Sequence, residues 1–227
     1  SQPLAAPRST LDSQAAGELR QLARRTWAFF ETFVTAEDHF LPPDNMQEVP
    51  EERVAHRTSP TNIGLSLLAN LAARDFGYIT EQQLLERTSA TFDTMDRLER
   101  FHGHFLNWYD TRTLQPLRPA YVSSVDSGNL AGHLLTLRAG LVLLAGNEAP
   151  DGQLLVAGLR DTLAVVREVA RGGLPVATTL RFAALLAERE GQGTLGPGAF
   201  DALHECALDM LAESALQSAT ERAESVL

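Results

Sequence analysis

Two helix starts, Ser59-Pro60 and Ser124-Val125-Asp126, bracket one long polar and aromatic loop, and this spacing limits the fold more than any other feature of the chain. Serine is a favoured N-cap, and proline is tolerated at the first helical position, where its missing N–H is not needed. Ser59-Pro60 therefore opens a helix that runs to about Asp75, where Phe76-Gly77 ends it. Thr80-Glu81-Gln82-Gln83 is a capping box. It starts a further helix through Leu84, Leu85, Thr88, Phe92, Met95 and Leu98. Asp126 or Ser124 is expected to cap the next one, which reaches about Ala145.

The rest of the chain follows the same period. Leu19, Leu22, Ala23, Thr26, Phe29, Phe30 and Phe33 form one apolar stripe in a first helix that begins near Leu11 and ends before Pro42-Pro43. Residues 40–58 carry three prolines and several carboxylates and are expected to be an irregular loop. Later helices are expected at 152–171, 176–190 and 197–227, separated by Arg171-Gly172-Gly173 and the glycine-rich run Gly191–Gly198. In the loop before Asp126, Phe105, Trp108 and Tyr109 favour extended backbone. A turn near Thr111-Arg112 would fold residues 102–118 into a small hairpin, confined to an edge by Pro116 and Pro119. The fold class is all-α, in antiparallel helical hairpins with their longer loops gathered at one end. Residues 1–10 are expected to be a flexible segment, and 11–227 one helical domain fragment. The chain starts at Ser1, and its last helical pattern runs to Leu227 without a stop signal. The expectation is a piece of a larger protein whose open edge promotes self-association.

Composition removes several functions. With 227 residues and 44% hydrophobic content the chain can bury a real core. A single cysteine, Cys206, excludes an internal disulfide and a multi-cysteine zinc site, and is expected to be a small buried apolar residue. The net charge of −10 and a pI of about 5 argue against nucleic acid or an anionic membrane surface as partner. The most apolar run, Leu130–Gly146, contains His133 and Arg138 and reads as too short to span a bilayer. No signal peptide, phosphate-binding glycine loop or nucleophile elbow is visible.

The chemistry is concentrated in the bracketed loop. His102, His104, Asn107, Trp108, Tyr109, Asp110 and Arg112 fall within a few residues of each other. Aromatic faces can stack on the C–H faces of a sugar while neighbouring amides and carboxylates bind its hydroxyls. Each residue also has a plainer role. One of the two rings can pack into the core, Asp110 can form a turn, and Asp126 can cap a helix while still pointing into a cleft. His102 and His104, two apart, would face the same way on a strand as zinc ligands can. No third ligand accompanies them, so hydrogen bonding is the expected role and neither metal nor cofactor is expected.

Four segments carry a family resemblance: Arg57–Leu65 (RTSPTNIGL), Ala72–Tyr78 (AARDFGY), Gly103–Thr111 (GHFLNWYDT) and Tyr121–Gly132 (YVSSVDSGNLAG). Together they resemble the glucoamylase-like middle region of cyclic β-1,2-glucan synthases, very large bacterial inner-membrane enzymes. The resemblance covers residues 15–145. It implies an (α/α)6 toroid, of which this chain would be part. It implies a domain at the cytoplasmic face of the membrane that cleaves linear β-1,2-glucan and closes it into a ring by transglycosylation. A similar SSIDTALL helix start in related endo-β-1,2-glucanases points to Asp126 as the catalytic candidate. Arg57, Asn62, His104, Asn107, Trp108, Tyr109, Asp110, Tyr121, Ser124 and Asn129 are the matching candidates for substrate contact. The implied partners are a β-1,2-glucan oligosaccharide and the other domains of the synthase. The family's glutamate-bearing segment of the type SGTMFEYLMP does not occur in this sequence. Glycoside chemistry takes two carboxyl groups, so the isolated chain is expected to be inactive. The alternatives are a carbohydrate-binding helical module without chemistry and a scaffold domain of the same synthase.

Overall fold

The computed structural model describes residues 11–146, 152–170, 174–190 and 197–224. The expected flexible segment 1–10 lies outside them. Seven α-helices dominate: α1 (Ser13–Phe33), α2 (Pro60–Asp75), α3 (Glu81–Met95), α4 (Ser124–Ala145), α5 (Gly152–Val169), α6 (Val176–Glu190) and α7 (Pro197–Glu224). The all-α expectation therefore holds, and the strands are two residues long.

The helix starts follow local chemistry. Ser59 accepts the N–H of Asn62, with Pro60 at the first helical position. Thr80 and Gln83 form the full reciprocal capping box. For α4 the expectation needs correction. The cap is Ser123, whose hydroxyl accepts the Asp126 N–H at 3.2 Å. Neither Ser124 nor Asp126 caps the helix. The helix is also 22 residues long, because it begins six residues before the apolar run, and is long and apolar enough by composition to cross a bilayer. In this fold it packs on α2 instead, with Leu130 and Leu137 in the main core.

Packing runs in two branches. In the first, α2 lies between α3 and α4, and its Ile63 and Leu67 share a core with Met95, Leu98, Leu106, Tyr109, Leu130 and Leu137. The α2–α4 contact is close because Gly64 carries no side chain. A Cβ there would sit 2.3 Å from Nδ1 of His133. In the second branch α5 bridges α1 and α6, and α6 packs on α7. Cys206 on α7 is fully buried there with Phe182 and Leu186, as expected. The expected stripe of α1 lines a groove beside α2 through Leu19, Leu22, Ala23, Thr26 and Phe30, but it is only partly covered. Leu19 and Leu22 are half exposed or more, while Trp27 is buried and Arg87 lies over its ring. Arg20, Arg24 and Arg25 face α5, bonding Asp161, Thr162 and Glu168. The side of α1 that meets α5 is thus joined by guanidinium contacts, which a hydrophobicity count does not register.

The connecting segments are more ordered than expected. Within the expected irregular loop, β1 (Met46–Gln47) pairs antiparallel with β2 (Arg53–Val54). β3 (Arg57–Thr58) pairs antiparallel with β6 (Tyr109–Asp110), a long-range bridge that lays the aromatic loop beside the start of α2. β4 (Arg100–Phe101) and β5 (His104–Phe105) form a two-residue hairpin, and Tyr109 bridges to Pro116 across the expected turn.

At Gly77 the φ angle is +78°, a conformation that a Cβ disfavours. A Cβ there would also lie 1.8 Å from the carbonyl oxygen of Leu154 on α5. Gly77→Ala is therefore expected to lower the unfolding free energy by about 2 kcal/mol or more. Gly132→Ala, on an open face in the middle of α4, is expected to raise it by about 0.5–1 kcal/mol. Chemical denaturation of both variants checks the pair.

Candidate functional site

The close approach of α2 and α4 sets their first turns side by side. Across the gap, Thr61 donates its hydroxyl hydrogen to Asp126 Oδ1 at 2.6 Å, and Asn129 donates to the Thr61 oxygen at 3.1 Å. Because Ser123 does the capping, the Asp126 carboxylate is released from that duty. It sits at the third helical position, where helical N–H groups favour negative charge. Partial burial opposes its ionisation. Hydrogen bonds from the Thr61 side chain, the Ser123 side chain, the Thr61 backbone and the Ser59 side chain outweigh burial and hold the carboxyl below its ordinary 3.8.

A second network continues from the neighbouring residue. Asn62 donates to Asp44 Oδ1 at 3.4 Å, and Arg57 donates to Asp44 Oδ2 through Nη2 at 2.8 Å and Nε at 3.1 Å. The Arg57 guanidinium also lies over the Trp108 ring, 5.1 Å from its centroid. Two neighbouring sets of contacts, Thr61 with Asp126 and Asn129, and Asp44 with Asn62 and Arg57 and so with Trp108, therefore meet at the adjacent residues Thr61 and Asn62 at the start of α2. Asp44 was missed in the sequence. Its only signal was a carboxylate beside Pro42-Pro43 in a loop, and its role depends on partners 13 and 18 positions away.

The remaining candidates divide. Tyr109 is fully buried, and its hydroxyl accepts the Leu106 N–H and donates to the Glu99 carbonyl, both at 2.6 Å. Burial raises its pKa. Asn107 is also buried, with its side-chain oxygen accepting the Tyr121 N–H at 3.1 Å and its own N–H donating to the Tyr121 carbonyl at 2.8 Å. Both side chains are buried and spend these bonds on the frame of the loop. Asp110 closes a turn. Burial works against its charge, but the N–H groups of Thr113 and Arg112, at 2.8 and 2.9 Å, keep its pKa low. Ser124 is exposed at the first position of α4. His104 and Tyr121 line a separate hollow with His102, Phe101 and Arg118. The two histidines do not share a strand: His102 occupies the hairpin turn with φ +49°, and His104 lies on β5.

Over 160 residues, 70% of the chain, the sequence is 48% identical to Cyclic beta-(1,2)-glucan synthase NdvB of Rhizobium meliloti (strain 1021). The chain is related to a segment of that synthase. The match spans only 6% of the relative's length. No protein-family model matches the chain. Among solved structures it is similar to a candidate glucoamylase of Bacteroides fragilis NCTC 9343, with TM-score 0.47 and 20% identity over 75% of this chain and 40% of the other. A second, from Bacteroides caccae ATCC 43185, gives 0.46 and 21% over 69% and 39%. Scores below 0.5 leave that likeness too loose to argue from.

The hydrogen-bonded Asp126 makes a titration prediction. Its folded pKa is depressed, so its contribution to stability is complete above about pH 4 and is lost as pH falls through the folded value. Thr61→Val removes the shortest of its bonds and is expected to move the Asp126 pKa upward, toward 3.8. Carbon-13 NMR titration of the carboxyl reads the shift directly. The stability deficit of Asp126→Asn at neutral pH should likewise shrink below pH 3.8. A deficit independent of pH would contradict the assigned bonds.

Proposed function

We propose that this chain is part of a β-1,2-glucan-processing domain of a cyclic β-1,2-glucan synthase, and that it helps to cleave a linear glucan and close it into a ring by transglycosylation. The observation that carries the reading is the hydrogen-bonded Asp126 at the meeting of two helix starts, bonded through Thr61 to Asn129, with the neighbouring Asn62, Arg57 and Trp108 gathered around Asp44. An aromatic face beside charged and amide groups suits a sugar ring, and the 48% identity to a segment of a glucan synthase supports the substrate class. In this reading Trp108 stacks on a sugar, Asn62, Asn129 and Arg57 contact hydroxyls, and Asp126 faces the reacting glucose residue.

The electrostatics define what Asp126 can contribute. A carboxyl held below its ordinary range is not a proton donor at neutral pH. It supplies negative charge to a developing oxocarbenium ion or positions a hydroxyl nucleophile. The acid partner then comes from elsewhere in the synthase, so the isolated chain binds glucan without turning it over. The same hydrogen bonding also favours a second reading, a carbohydrate-binding or scaffold domain in which Asp126 only organises the cleft. In either case the chain would work inside a larger membrane protein, at the cytoplasmic face. The exposed apolar side chains Leu135, Val142 and Leu143 of α4 would pack on further helices of that protein, and without them the chain would self-associate.

The two readings separate on one experiment. In a full-length synthase carrying this segment, Asp126→Asn is expected to reduce cyclic product by at least about a hundredfold, with glucan affinity nearly unchanged. Trp108→Ala is expected to weaken glucan binding by about tenfold through lost stacking. Product formation, with thermal unfolding as control, measures both. Wild-type cyclisation by Asp126→Asn would leave the binding or scaffold reading.

A further inference from the structure

The hollow between the β4–β5 hairpin and the segment 118–122 has a volume of about 540 Å³, within the usual size of small-ligand clefts. Glu99, Phe101, His102, His104, Arg118 and Tyr121 are its principal lining side chains. Phe101 and Tyr121 are 59% and 54% exposed, and His102, His104 and Arg118 are exposed as well. Among the described residues, the side chains of His104 and Arg118 make no hydrogen bond or ion pair, and the His102 ring makes only an edge contact with Phe101, with ring centroids 4.3 Å apart. These groups are free to meet a ligand.

The frame around them is fixed. The buried Tyr109 hydroxyl ties Glu99 to Leu106, the two ends of the hairpin. Buried Asn107 clamps the backbone of Tyr121 from both sides. Bonded backbone therefore presents exposed side chains that make no hydrogen bond of their own. At the hairpin tip His102 adopts φ +49°, a left-handed conformation that histidine enters more readily than most non-glycine residues.

We propose that this hollow is a second, remote glucan subsite, which holds a stretch of the sugar chain several residues away from the one at Asp126. Two exposed rings offer stacking surfaces. The imidazoles, the guanidinium and the Glu99 carboxylate together offer both donors and acceptors, which matches neutral hydroxyls better than an anion. Val122 lines the hollow and is followed in sequence by Ser123, the cap of α4 whose hydroxyl meets the Asp126 N–H. An oligosaccharide running along this segment would reach both clefts. The inference rests on the proposed glucan chemistry.

Calorimetric titration of the full chain with linear β-1,2-glucooligosaccharides of increasing length tests it. Affinity is expected to rise with length until both clefts are filled. Phe101→Ala and Tyr121→Ala should each weaken the long oligosaccharides by about three- to tenfold and leave the disaccharide unchanged. Trp108→Ala should weaken every length. The ring protons of His102 and His104 should shift in NMR spectra with a long oligosaccharide and not with the disaccharide. If short and long glucans bind but neither hollow variant changes the length dependence, the subsite is wrong and the first cleft stands. If no β-1,2-glucan of any length binds, the proposed function fails and takes the subsite with it.

Discussion

The geometry of the site depends on the close approach of α2 and α4. Gly64 leaves room for His133, and Gly140 leaves room for Leu71, whose Cδ2 would lie 2.4 Å from an added Cβ. At that spacing the Thr61 hydroxyl reaches Asp126 at 2.6 Å. A larger separation would leave Asp126 as an ordinary acidic residue in a helical first turn, stabilised by the helix end alone. The helix contact thus converts two separate helix starts into one charged rim.

The aromatic loop then completes the rim without relying on its own hydrophobic content. β3 pairs with β6, so Arg57 faces Asp110 in register and Thr58 faces Tyr109. This fixes Trp108 beside Arg57, and Arg57 in turn is held by Asp44. Tyr109 turns inward and Trp108 stays half-buried. One aromatic residue anchors the loop in the core, and its neighbour remains available at the surface. A relation of this kind gives the loop a rigid base and a reactive edge, which is the usual division between scaffold and site.

Much of this was legible in the sequence, for a local reason. The caps at Ser59 and Thr80 work within four residues, so the starts of α2 and α3 could be placed from composition alone. At α4 the sequence offered Ser124 or Asp126 as the cap, and the backbone conformation makes it Ser123 instead. The roles of Asn107, Tyr109 and Asp44 were not legible because each is set by a tertiary partner. A loop without periodicity gives no sign of which ring faces inward, and two-residue strands such as β3 and β6 carry too little pattern to be read. The stripe of α1 was legible, since Leu19, Leu22, Ala23, Thr26 and Phe30 line one groove beside α2, but its α5-facing side was not, because arginines at positions 20, 24 and 25 make that contact.

The central claim is that a sugar chain lies across the rim formed by Trp108, Asn62, Asn129 and Asp126. Side-chain amide and indole N–H signals of the chain, followed by nitrogen-15 NMR during addition of a linear β-1,2-glucan oligosaccharide, report on that rim directly. The account predicts saturable shifts of the Trp108 indole and of the Asn62 and Asn129 side-chain amides, with the Trp27 indole, buried in a separate core, unmoved. Saturable binding that leaves Trp108, Asn62 and Asn129 unshifted would contradict it.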